Sequence, residues 1–161
     1  NTNKKWEEEK IMKIVDNLNL DQATKEKLFQ SEEACFAMLA GMKWTEGYIC
    51  KKCGHDNFCD GKTPHSRRCT RCKNEESATA HTLFHNIKFP ITKAFYILFE
   101  VANNHKYSIF DIATQINVRQ LVCWNFKNKI EEKYNRLVRF NNIEAVTFND
   151  LIIKEANSPF A

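Results

Sequence analysis

Glycine and proline are scarce: the chain of 161 residues holds four of the first and three of the second. That composition leaves little material for long flexible or polyproline linkers. No low-complexity tract and no internal repeat is present, which excludes solenoid and propeller arrays. No apolar run reaches the roughly eighteen residues that a membrane-spanning helix needs, and no secretory signal pattern occurs. No membrane partner is therefore expected. The chain does not start with Met, so its start says nothing about an upstream segment.

Cysteine, by contrast, is plentiful, with seven residues in a chain that is 43% apolar. In a soluble protein of a reducing compartment, by default the cytoplasm, thiols are expected to bind metal rather than pair. Cys50-Lys-Lys-Cys53 is followed, after fifteen residues, by Cys69-Thr-Arg-Cys72. Each C-x2-C knuckle turns two sulfurs toward one point, and the loop between can fold back as hairpins. The pair predicts a four-thiolate site for one zinc ion. Four thiolates close the tetrahedron and leave no position for water or substrate, so the expected Zn2+ is structural. Between Tyr48 and Lys73 the apolar residues are almost confined to Tyr48, Ile49 and Phe58. That is too little to hold the segment together, so its folding is expected to depend on the metal. Cys59 lies between knuckles that already supply four ligands, and Cys35 and Cys123 sit on apolar helical faces as small buried hydrophobes. His81 and His85 have the spacing of a helical metal pair, but their stretch reads as extended, so they are not expected to be ligands.

Charge and periodicity divide the chain. Residues 43–73 carry eight Lys or Arg against three acids. Residues 119–139 carry six against two, Glu131 and Glu132. Two separated basic segments suit a polyanion such as nucleic acid, although solvated helix charge has the same signature. Residues 1–43 read as an N-terminal helical region: Ile11, Ile14, Val15 and Leu18 follow helical spacing, and Ala34, Phe36, Met38, Leu39 and Met42 continue it behind Ser31 as N-cap. Residues 44–89 break into short β-prone pieces around Gly47, Gly54 and Gly61, the grammar of a zinc ribbon.

Residues 90–138 turn helical again. Pro90 fits a first helical turn, and Ala94, Ile97, Leu98, Val101 and Ala102 form one stripe. A short helix is expected from Ser108, where Ser-x-x-Asp resembles a capping box, with Ile109, Ile112, Ala113 and Ile116 buried. Asn117 suits the left-handed turn that follows, and a longer helix runs from about Arg119 to Leu137, burying Cys123, Phe126, Ile130, Tyr134 and Leu137. Short helix, three-residue turn and longer basic helix form a helix-turn-helix layout. If Val118, Cys123 and Phe126 face inward, then Arg119, Gln120, Trp124, Asn125 and Asn128 face outward toward base edges. Lys127, Lys129 and, farther along, Arg136 then reach phosphates, as would Arg67, Arg68 and Arg71 of the ribbon. Leu121 is apolar at an outward position. Residues 139–161 form a C-terminal tail whose run from Val146 to Ile153 reads as a packing strand or helix. The expected fold class is α+β, mainly helical with a small β zinc ribbon.

Several ordered motifs carry a family resemblance. These are Lys43-Trp-x-x-Gly47-Tyr-x-Cys50-x-x-Cys53-Gly-His, Arg67-Arg-Cys69-x-x-Cys72, Ser77-Ala-Thr-Ala-His-Thr-Leu-Phe-His85-Asn and Phe89-Pro90-Ile-x-Lys-Ala-Phe95. Together they resemble the zinc-ribbon N-terminal region of bacterial insertion-sequence transposases. The Ile112-Ala-x-x-Ile116-x-Val118-x-Gln120 and Cys123-Trp-x-Phe126 core resembles the helix-turn-helix of the same proteins, so the likeness covers about residues 31–135. It implies binding to double-stranded DNA, in particular terminal repeats, in a bacterial cytoplasm, nucleoid-associated when DNA-bound.

Such transposases continue into a ribonuclease-H-like domain with acidic metal-binding residues. Here the acids after Leu137 are Glu144, Asp150 and Glu155, beside the tail's apolar run. A two-metal phosphoryl-transfer site needs several carboxylates on a rigid scaffold, so this chain is expected not to be an enzyme. Other readings stay open: a DNA-binding fragment of a complete transposase, or a protein-interaction module whose partner is a separately encoded recombinase, another protein or a second copy in a homodimer.

Overall fold

The computed structural model describes residues 20–103, 108–141 and 146–153. The expected helix through Ile11, Ile14, Val15 and Leu18 lies outside the described residues, as do Glu144 and Glu155. The fold is α+β, with helices, a small three-stranded antiparallel sheet and a cysteine cluster. The described chain divides into two compact units, one of residues 21–92 with Ile152 and Ile153, the other of residues 93–151 with Leu20.

The first unit opens with two helices, α1 (Gln22–Gln30) and α2 (Glu32–Lys43). The Asp21 side chain accepts the Thr24 N–H at 2.8 Å and caps α1. Ser31 serves both helices. Its N–H closes α1 on the Lys27 carbonyl at 2.9 Å, and its Oγ accepts the Ala34 N–H at 3.2 Å to start α2. One residue thus satisfies donors and acceptors that two adjoining helix ends would otherwise leave open. Leu28, Cys35, Leu39 and Ala40 fill the seam.

The ribbon strands are β1 (Phe58–Asp60), β2 (Arg67–Cys69) and β3 (Glu75–Glu76), in the order β1-β2-β3. Their register sets Asp60 opposite Arg67, and Arg68 opposite Glu75. The β1–β2 turn begins at Gly61 because nothing larger fits: a Cβ there would lie 2.1 Å from Ser66 Oγ. The stretch after β3 is a chain of turns rather than the extended segment its sequence implied. Ser77 Oγ accepts the Ala80 N–H at 3.1 Å, and Thr82 Oγ1 donates to the Thr79 carbonyl at 2.6 Å. Hydroxyls closing on nearby backbone compete with the ladder and win here. Leu83 N–H donates to the Ile152 carbonyl at 2.7 Å, and Thr82 bridges Ile153, so the tail pairs with this unit.

The second unit holds most of α3 (Ile91–Ala102), then α4 (Ile109–Ile116), α5 (Gln120–Asn141) and most of α6 (Phe148–Ile152). The stripe expected on α3 is buried throughout, with Ala94, Ile97 and Leu98 at zero exposure, and Phe95 is buried beside it. Phe99 meets Phe148 with ring centroids 5.3 Å apart. Ser108 Oγ caps α4 by accepting the Asp111 N–H at 3.4 Å. Asn117 is left-handed at φ 57°, and the Val118 N–H returns to the Ala113 carbonyl at 2.9 Å. That turn sends α5 back across α4, where Ile112, Ala113, Cys123, Phe126 and Ile130 are buried. No helix of the described residues is long and apolar enough to cross a membrane.

Candidate metal centre and nucleic-acid interface

The two knuckles are built alike, residue for residue. In the first, the Lys52 and Cys53 amides point at Cys50 Sγ, both at 3.4 Å. In the second, the Arg71 and Cys72 amides point at Cys69 Sγ, at 3.4 and 3.5 Å. Gly54 N–H returns to the Cys50 carbonyl at 2.9 Å and Lys73 N–H to the Cys69 carbonyl at 3.0 Å. Both turns need a left-handed residue at that point, Gly54 at φ +78° and Lys73 at φ 67°. Glycine takes this conformation freely, whereas Lys73 is strained in it. His55 Nε2 and Thr70 Oγ1, 3.1 Å apart, tie one knuckle to the other.

This geometry brings four sulfurs together. Cys50 and Cys72 Sγ are 3.6 Å apart, Cys53 and Cys69 Sγ 3.5 Å, and all four lie within 4.8 Å of one another. Amides aimed at sulfur favour thiolate: the Cys53 N–H first, then that of Lys52, hold Cys50 down at about 6. Cys69 is pushed up by burial, yet the amides of Cys72 and Arg71 bring it below the ordinary thiol range. Four clustered soft donors, two of them biased to the anion, suit one tetrahedral metal ion. Among the described residues this is the group of three or more ligand-type side chains close enough to share an ion. Cys59, on β1, and His81 and His85 are not in it. Cys35 is pushed up to about 12, first by burial, and donates to the Leu28 carbonyl at 3.0 Å. Cys123 is also raised by burial.

Beneath the sulfurs lies a small aromatic floor. Tyr48, Cys50 and Cys69 are buried together, with Trp44 and Cys72 packed against them. Tyr48 stands 6.2 Å from Trp44 and 5.2 Å from Phe58, centroid to centroid. Burial pushes the Tyr48 phenol well above its ordinary value. The ribbon is also bolted to α2. The Lys43 ammonium lies 2.6 Å from the Glu76 carboxylate, donates to the Ser77 carbonyl at 2.7 Å, and is almost wholly buried. Burial lowers the Lys43 pKa, with Glu76 opposing. This pair crosses the boundary expected between residues 43 and 44, and no periodicity signal announces it. At the far end of the same contact surface, His65 pairs with Glu33 of α2.

Residues 30–75 match the transposase zinc-ribbon domain. The match begins at Gln30, just before the Ser31 cap, and ends at the Arg68 partner Glu75, so it takes in α2 with the ribbon. The Lys43–Glu76 contact and the Trp44 stack explain why helix and ribbon form one structural whole. No curated protein and no solved structure matches the chain significantly.

The arginines expected to meet phosphate are placed unequally. Arg67 lies over the rings of both Trp44 and Phe58, 4.5 and 4.0 Å from their centroids, and burial lowers its pKa. Arg68 is spent on Glu75 at 3.0 Å. Both are half-buried, because β2 sits between two strands that oppose them with acids. Arg71 alone of the three is exposed. Lys51, Lys52 and Lys73, each next to a cluster cysteine in sequence, are also exposed and belong with the site. The signal for Lys51 and Lys52 was the knuckle itself, whose two middle positions must point away from the sulfurs; Lys73 directly follows the second knuckle. Four thiolates around a divalent ion would leave a formal charge of −2, which these cations would offset.

On α5, Arg119 precedes the first turn, and Gln120, Trp124, Asn125 and Lys129 are exposed, while Asn128 is half-buried. Lys127 pairs with Glu131 and Arg136 with Glu132, each at 3.4 Å. Exposed pairs at this spacing hold weakly, so both cations remain within reach of a stronger anion.

Proposed function

We propose that this protein binds double-stranded DNA and that one zinc ion, held by Cys50, Cys53, Cys69 and Cys72, keeps its ribbon folded. The observation that carries the proposal is a four-sulfur cluster, rimmed by Lys51, Lys52, Arg71 and Lys73, inside a segment matching the transposase zinc-ribbon domain. Zinc is favoured by the four-cysteine donor set in a ribbon setting; the same set also suits iron–sulfur chemistry, which metal analysis separates. The α4–turn–α5 segment is read as a helix-turn-helix that adds a second contact surface. We assign no catalytic step to the chain: its described acids pair with Lys, Arg or His, cap helices or lie apart. Strand cleavage with magnesium or manganese is not expected.

The test is a salt titration of duplex binding by zinc-loaded protein. Log affinity should fall linearly with log salt, since each neutralised phosphate releases counterions. Absence of binding at low salt, or tight binding indifferent to salt, would favour a protein-interaction module instead.

A further inference from the structure

We infer that the opening turns of α5 read A·T base pairs through thymine methyl groups, with Leu121 and Trp124 as the apolar contacts and Gln120 and Asn125 as the adenine contacts. This rests on the DNA-binding reading above and assigns its specificity.

Leu121 and Trp124 are 66% and 50% exposed, two large apolar side chains grouped on one face of the same helix. At roughly 100° per residue, Gln120, Leu121, Trp124, Asn125 and Asn128 lie within one arc of about 140°. The buried residues Cys123, Phe126, Ile130 and Leu137 lie opposite. The exposed arc therefore faces directly away from the core that seats α5.

What can cover this arc is limited by its chemistry. Amides beside apolar groups match the major-groove edge of an A·T pair. Adenine offers a donor and an acceptor to Gln or Asn, and thymine offers a methyl to an apolar side chain. Arg119 precedes and Lys129 follows these residues in sequence, and no acid stands between residues 112 and 130, so the segment's charge suits a polyanion. The same face turns acidic at Glu131 and Glu132, which bounds the contact at about Asn128. About two and a half helical turns remain, and they lie at the N-terminal end of the helix, the part that contacts base edges in a groove-reading helix.

The probe is deoxyuridine in place of thymidine, which removes the methyl and leaves every hydrogen-bonding group in place. A site is first selected with the zinc-loaded full chain, and thymidines are then replaced one at a time. At one or two A·T positions binding should weaken about fourfold per methyl, the equivalent of about 0.8 kcal/mol per buried carbon. Leu121→Ala should bind the parent site more weakly and lose that sensitivity, while losing none of the slope against salt. Equal binding of thymidine and deoxyuridine sites by the parent protein overturns the inference and leaves DNA binding standing. No duplex binding at low salt overturns both. A Leu121→Ala protein that sediments as a monomer where the parent is a dimer assigns the arc to self-association, and the inference fails.

Discussion

The ribbon and the helical unit solve the same problem by different means. In the helical unit α3 alone buries Ala94, Phe95, Ile97, Leu98, Phe99, Val101 and Ala102, a continuous stripe with hydrocarbon on every turn. In the ribbon the buried hydrophobic cluster is Tyr48 and two cysteines, and Ile49 is 65% exposed. Side-chain burial stabilises by about 1.5–3 kcal/mol per large residue, so the first region can hold itself and the second cannot. Three very short strands with so small a floor need four sulfurs gathered on one ion. A region stabilised by metal at a point would be free to present its surface residues as cations, and Lys51, Lys52, Arg71 and Lys73 are exposed there.

Three changes would break or sharpen this contrast. The largest effect is expected from Cys69→Ser: metal content should fall from one ion per chain to near zero, and the ribbon should unfold. Structural zinc contributes on the order of 10 kcal/mol in small metal-dependent domains, far more than the ribbon's floor can supply. Full metal retention in that variant, measured on purified protein, would remove the four-sulfur site from the account.

Next, Lys43→Met should lower stability by about 3–5 kcal/mol, because it leaves the Glu76 carboxylate buried without its cation. Adding Glu76→Gln should recover a substantial part of that loss in denaturant unfolding. If the double variant is no better than the single, the pair does not bolt α2 to the ribbon.

The smallest effect is expected from Leu98→Ala, about 2–5 kcal/mol from cavity formation in the helical unit, with metal content unchanged. Loss of metal in this variant would mean that the two regions do not stand by separate means.

Much of this contrast was legible in the residues. Spacing announced the knuckles, and the Ser31 and Ser108 caps, the Asn117 turn and the buried stripe of α3 followed from local chemistry that acts within a few residues. What escaped depended on partners distant along the chain. For Arg67 and Arg68 the sequence shows only that the stretch is basic. Only the register of β2 against β1 and β3 shows that Asp60 and Glu75 stand opposite, and that Trp44 and Phe58 frame Arg67. The Lys43–Glu76 pair was hidden for the same reason, being 33 residues apart in sequence. His81 and His85 read as extended because nothing in apolar alternation reports that Ser77 and Thr82 hydroxyls will capture nearby backbone.

The central claim is that metal holds the ribbon while hydrocarbon holds the helices. A two-dimensional amide NMR spectrum of the loaded protein, recorded before and after a chelator at neutral pH, tests it most directly. Signals from residues 48–76 should lose their dispersion, while those of α3, α4 and α5 keep their positions. Ribbon signals that stay dispersed after the metal has left would contradict the account.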